Sequence, residues 1–176
     1  MVITRKTRKT DPGKREQNVE FRGVSGGALL AGAVGAALLL GAWSFQYIGG
    51  LAPCEMCIWQ RWPHGAAVWL GIAGGFLMKR GTFAPASARR IAYFAILMIA
   101  LSGLIGVYHA GVEWKFWPGP PACTGFGYVP GSADFRIVRC DEAQWRLFGI
   151  SLAGFNAIIS LTAAYFAFTL VKGAKA

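Results

Sequence analysis

The stretch Val24–Gly50, VSGGALLAGAVGAALLLGAWSFQYIGG, contains no Asp, Glu, Lys or Arg. About 20 mostly apolar residues suffice for a helix to cross some 30 Å of hydrocarbon. This block therefore predicts a transmembrane helix. It is also too long for the apolar core of a cleavable signal peptide, about 7–15 residues, so it is expected to stay in the mature chain. Three further blocks follow, at roughly 60–78, 91–112 and 148–171. Backbone polar groups in lipid must be satisfied within the segment, which makes all four helices. Pro63 is read as a first-turn proline opening the second.

The remainder of the composition agrees. Of 176 residues, 55% are hydrophobic and only 15% charged, whereas a soluble domain carries about a quarter charged residues. The expected organisation is a tail over 1–23, a four-helix membrane domain over 24–171 with loops at 51–59 and 113–147, and a short end over 172–176. Thirteen of the 18 Lys and Arg fall in 1–23, 79–90 and 172–176, with only three of the eight acidic residues. Cytoplasmic segments carry the positive excess. The predicted fold is thus an all-α four-transmembrane-helix bundle with both termini cytoplasmic. The basic cluster Arg5–Lys9 has no interleaved aromatics, and it is read as a topology signal near anionic lipid rather than a nucleic-acid surface. Small residues at packing spacing, Gly32 with Gly35, Gly71 with Gly75 and Gly103 with Gly106, predict close helix contacts. No charge lies near the middle of a span, which lowers the case for a transporter or ion pump.

All four cysteines lie in the two loops opposite the basic face: Cys54 and Cys57 in the first, Cys123 and Cys140 in the second. On that side disulfides persist. Four cysteines allow three pairings. Structural staples, a zinc site and a redox centre are the competing readings. Attached c-type haem is excluded because Ile58, not His, follows Cys57. A Cys-x-x-Cys ring encloses too little chain to be a strong staple, which favours redox chemistry for Cys54 and Cys57. Cys57 stands near a helix N-terminus, where free amides favour a thiolate. Arg61 lies one turn deeper on the same face. It either snorkels to the headgroups or supports the thiolate and charge on an acceptor. Glu55, between the thiols, is expected to raise the thiolate pKa.

Cys54-Glu-Met-Cys57-Ile-Trp-Gln-Arg61, Trp117-Pro-Gly-Pro-Pro-Ala-Cys123 and Cys140-Asp-Glu-Ala-Gln-Trp145 together resemble the DsbB family, over about residues 24–171. The resemblance implies a bacterial inner-membrane thiol:quinone oxidoreductase. It would reoxidise a periplasmic thioredoxin-fold partner, DsbA-like, and pass two electrons to quinone, ubiquinone being the first choice. It implies that Cys54 and Cys57 are the quinone-coupled pair, Cys57 facing the quinone. Cys123 would be attacked by the partner, and Cys140 would link to Cys54 in transfer. Arg61 would hold the quinone head, and His109 would lie near it. No metal site and no nucleic-acid partner are expected. The alternatives are a paralogue with a dedicated partner, or a non-catalytic membrane scaffold with two structural disulfides. Trp114, Phe116, Trp117, Phe126, Tyr128, Phe135 and Trp145 make the second loop an expected membrane-surface element, with Pro118, Pro120 and Pro121 giving an extended approach to Cys123.

Overall fold

A computed structural model describes residues 12–124 and 138–174, residues 12–20 by backbone alone. Phe126, Tyr128 and Phe135, read as part of the aromatic loop, lie outside the described residues. Helix α1 spans Pro12–Tyr47, reaching back into the segment expected to be a tail. Helix α2 (Glu55–Val68) passes through a π-turn (Trp69–Ala73) into α3 (Gly74–Lys79), forming one rod. Helix α4 is Pro85–Glu113, with proline in its first turn. A single turn, α5 (Pro121–Thr124), and a two-stranded hairpin, β1 (Arg146–Leu147) and β2 (Ile150–Ser151), lead into α6 (Leu152–Gly173). Among the described residues, α1 from Phe21, α4 and α6 are long and apolar enough to cross a membrane.

The side-chain distribution shows what surrounds the rods. The interior is built of small residues: Ala28, Ala31, Ala67, Ala92, Ala95 and Ala167 are buried. Large apolar side chains point outward instead, among them Leu40, Trp62, Trp69, Phe94, Leu104 and Tyr165. Water would reverse that order, whereas lipid tails solvate Leu and Phe as well as a core does. The helices are therefore held by close packing. At the tightest crossing Gly32 on α1 meets Gly71 in the π-turn. A Cβ on Gly32 would stand 2.8 Å from the Ile72 amide nitrogen, and one on Gly71 would overlap the Ala28 carbonyl. Rods α1 and α4 each touch the other three. The rods containing α2 and α6 also reach each other through side chains, His64 bonding Asn156 at 2.9 Å.

Three local expectations are corrected. Pro63 lies inside α2 rather than in its first turn. The helix opens earlier, at Glu55, because the Cys54 sulfur caps it by accepting the Cys57 amide at 3.3 Å. The prolines before Cys123 do not keep it extended: the chain turns into α5, with the Cys123 amide bonded to the Pro120 carbonyl at 3.1 Å. The fourth apolar block starts its helix at Leu152, capped by Ser151, since Phe148 and Gly149 form the hairpin turn with φ of 50° and 80°.

Gly71→Ala should destabilise the protein by about 1–3 kcal/mol through overpacking against backbone. Gly65→Ala, whose new methyl meets open space, should leave the melting temperature unchanged or raise it. Thermal unfolding of both variants in one detergent checks the contrast.

Candidate redox site

The site is assembled where the start of α2, the end of α4 and the segment before α6 converge. Cys54 holds the N-cap of α2 and is buried. Its sulfur lies 2.8 Å from that of Cys57, so joining them needs no backbone movement. The Cys54 thiol donates to Cys57. That bond holds Cys57 below the usual thiol range, with the Arg61 guanidinium adding in the same direction, and it drives Cys54 well above that range. Of the pair, Cys57 is the sulfur prepared to be a thiolate. Glu55 points into solvent. The carboxylate that bears on both thiols, opposing their ionisation, is that of Glu113 instead.

The second pair is bonded, Cys123 to Cys140, with Cα atoms 5.4 Å apart. It is not remote from the first. Cys54, Cys123 and Cys140 pack in one buried cluster with Met56 and Val112. Cys140 also donates its amide to the Cys123 carbonyl at 2.9 Å. The segment that carries Cys140 is tied down twice: Gln144 donates to the Ala52 carbonyl at 2.7 Å, and Asp141 accepts from Arg139 and Lys115. Arg139 foremost, then Lys115, lower the Asp141 carboxyl to about 2. The described loop aromatics form a ring ladder, Trp117 stacking on Tyr108 with centroids 6.1 Å apart. Trp145 instead sits between helices, 5.1 Å from Phe45 and 6.2 Å from Phe155.

A cleft of about 400 Å³ opens beside Cys57, lined by Phe45, Arg61, Trp145, Phe155 and Ile159 among others. Arg61 donates from Nη1 to Gln46 on α1 at 2.6 Å. Its Nε is buried with no partner. An unpaired buried donor is costly, and a carbonyl oxygen seated in the cleft would satisfy it. His109 lies beside the thiols and lines the cleft, 2% exposed, with Nε2 3.6 Å from the Cys54 sulfur and 3.7 Å from Glu113 Oε1. The ligand atoms of Cys54, Cys57 and His109 fall within 4.8 Å of one another, a spacing that a soft divalent ion could use.

A profile described as Disulfide bond formation protein DsbB matches residues 25–170. The chain belongs to the DsbB family. A disulfide bond formation protein B from Aromatoleum aromaticum is 27% identical over 157 residues, covering 82% of this chain and 87% of that relative. No solved structure matches the chain. Membership of the DsbB family makes this a disulfide-forming membrane protein, and it agrees with an architecture that gathers four cysteines at one end of a lipid-facing bundle.

Sequence reasoning singled out the cysteines, Arg61 and His109, and the structure gathers them. It missed Gln46, Gln60, His64, Ser102, Glu113 and Asn156. Their signal was available in part: an amide or imidazole within an apolar block must find a partner in the bundle, although the block cannot say which.

Because the Asp141 carboxyl is held below its ordinary value, its contribution to loop order is complete above about pH 4. It is lost as pH falls through about 2. Amide exchange around Cys140, corrected for intrinsic rate, should accelerate over that window. Asp141→Asn should show the faster exchange already at pH 5.

Proposed function

We propose that the protein is a thiol:quinone oxidoreductase of the bacterial inner membrane that reoxidises a periplasmic thioredoxin-fold dithiol, DsbA-like in chemistry. In this reading α2, the π-turn and α3 make the fourth span. Both termini are cytoplasmic, and the cysteines face the periplasm. The charge asymmetry along the chain supports that orientation. The observation that carries the reading is that Cys54 packs against the Cys123–Cys140 pair on one side and, with Cys57 and the unpartnered Arg61 Nε, lines the cleft on the other.

Electrons enter at the bonded pair. A partner thiolate attacks the Cys123 sulfur, a mixed disulfide forms, and the Cys123–Cys140 bond breaks with its electron pair left on Cys140. Cys123 is only 2% exposed, so this step requires α5 to lift from the cluster. The Cys140 thiolate then attacks Cys54 of the oxidised Cys54–Cys57 pair, and Cys57 departs as the thiolate that its surroundings favour. The partner's second thiolate closes its own disulfide and releases Cys123. Cys123 attacks Cys140, the original loop bond re-forms, and Cys54 is freed. The net result is one partner disulfide and a reduced Cys54–Cys57 pair.

A strongly oxidising partner sits at about −120 mV, so the acceptor must be stronger still. Quinone bound in the cleft supplies a two-electron, two-proton acceptor. The apolar walls suit a ring and isoprenoid chain, and the Arg61 guanidinium offers its free Nε–H to a ring oxygen. Gln46 holds that guanidinium from the other side. Trp145, wedged between Phe45 and Phe155, walls the cleft.

The test is quinone absorbance after reduced thioredoxin-fold oxidase is added to the purified protein in detergent. Cys57→Ser should abolish turnover. Arg61→Gln should raise KM for quinone about tenfold or more, the worth of one hydrogen bond from a charged donor. Absence of turnover with several quinones and partners overturns the general-oxidase reading and leaves a paralogue with a dedicated partner or a scaffold with structural disulfides.

A further inference from the structure

Seven polar residues link α2, α4 and α6 in the lipid-facing bundle: Gln60, His64, Ser102, His109, Glu113, Asn156 and Ser160, all buried. Their hydrogen-bond directions follow from the backbone, since a carbonyl oxygen only accepts. Asn156 Nδ2 lies 3.1 Å from the Ser102 carbonyl, so that nitrogen is the amide donor and Oδ1 the acceptor. Oδ1 receives the Ser160 hydroxyl at 2.7 Å and His64 Nε2 at 2.9 Å. His64 is therefore protonated on Nε2. Its Nδ1 has no partner, as suits a nitrogen without a proton. Asn156 Nδ2 also donates to Gln60 Oε1 at 2.6 Å.

Gln60 Nε2 lies 3.1 Å from the Met56 carbonyl, so it donates there. It also lies 2.9 Å from His109 Nδ1, which must accept. A neutral His109 then carries its proton on Nε2. That nitrogen faces the Cys54 sulfur at 3.6 Å and Glu113 at 3.7 Å, while the ring lies within hydrogen-bonding reach of the Cys140 backbone.

We propose that Asn156 and Gln60 are positioning residues that hold His109 in its Nε2–H tautomer, so that a hydrogen-bond donor faces the Cys54 sulfur where the two cysteine pairs meet. Its consequence for turnover rests on the thiol-oxidase reading. When Cys123 attacks Cys140 and the Cys54–Cys140 bond breaks, the electron pair settles on Cys54, and the Nε2–H group stabilises that thiolate. The same proton occupies the lone pair that a metal would need, so the thiols and His109 are not left as a ready three-ligand site.

The tautomer can be read directly. The chain has two histidines, so nitrogen-15 NMR of the histidine-labelled full chain in detergent gives two ring systems, assigned with His109→Gln. Both rings should show a bare Nδ1 and a protonated Nε2. In Gln60→Glu the new carboxylate should draw a proton onto His109 Nδ1, with His64 unchanged. In a reduced Cys57→Ser background, Gln60→Leu should slow alkylation of Cys54 at neutral pH by about tenfold, the worth of a hydrogen bond to a charged sulfur. Protonated Nδ1 on wild-type His109 overturns the proposal, whether or not the variants fold. Unchanged alkylation in Gln60→Leu overturns the role at Cys54. Neither readout needs quinone or partner. A chain with the Nε2–H tautomer and no turnover would therefore sink the oxidase reading alone.

Discussion

The bond from Asn156 on α6 to Gln60 on α2, 2.6 Å long, is the contact on which the cysteine end of the bundle depends. In hydrocarbon no water competes for these amides, so each is held to whatever partner the neighbouring helix supplies. Two rods that share few backbone contacts are joined there. Ser102 on α4 enters the same network, accepting from Asn156 through its carbonyl and donating its hydroxyl to the Gln60 carbonyl at 2.9 Å. The cysteines stand on this foundation: α2 starts five residues before Gln60, and Cys54 caps that start.

Small-residue packing does the rest of the positioning. Gly32 and Gly71 let the first two rods approach to backbone contact, which brings Gln46 on α1 within reach of Arg61 on α2. A bulkier pair would push these rods apart and widen the cleft between them. The width of the cleft is thus coupled to a glycine contact several turns away.

Much of this was legible in the chain. Uncharged blocks longer than a bilayer is thick are helices for a reason independent of neighbours, so Val24–Gly50 and the third and fourth blocks read correctly as helical. Cys54, Cys57 and Arg61 were recognisable because their spacing is local, within two turns of one helix. What could not be read is long-range or depends on one atom. The start of α2 at Glu55 turns on a sulfur acting as cap, which helix propensities do not encode. The proximity of Cys140 to Cys54 is a tertiary fact, as is the Gln46–Arg61 bond. Glu55 adjoins the thiols in sequence yet faces away, whereas Glu113, on another helix, faces them. Adjacency along a helix is a poor guide to electrostatics when successive residues turn by about 100°.

The π-turn at Trp69–Ala73 has a consequence for how the second rod is phased. A π-turn accommodates about one residue more than regular α-helix, which offsets everything beyond it by about 100°. Gln60 and His64, above the turn, face α4 and α6, while Gly74 and Gly75, below it, lie against Ile91 and Leu29. One rod thereby carries its buried polar contacts above the turn and its closest glycine contacts within and below it. The two halves can be set independently, like a shaft with a keyed coupling.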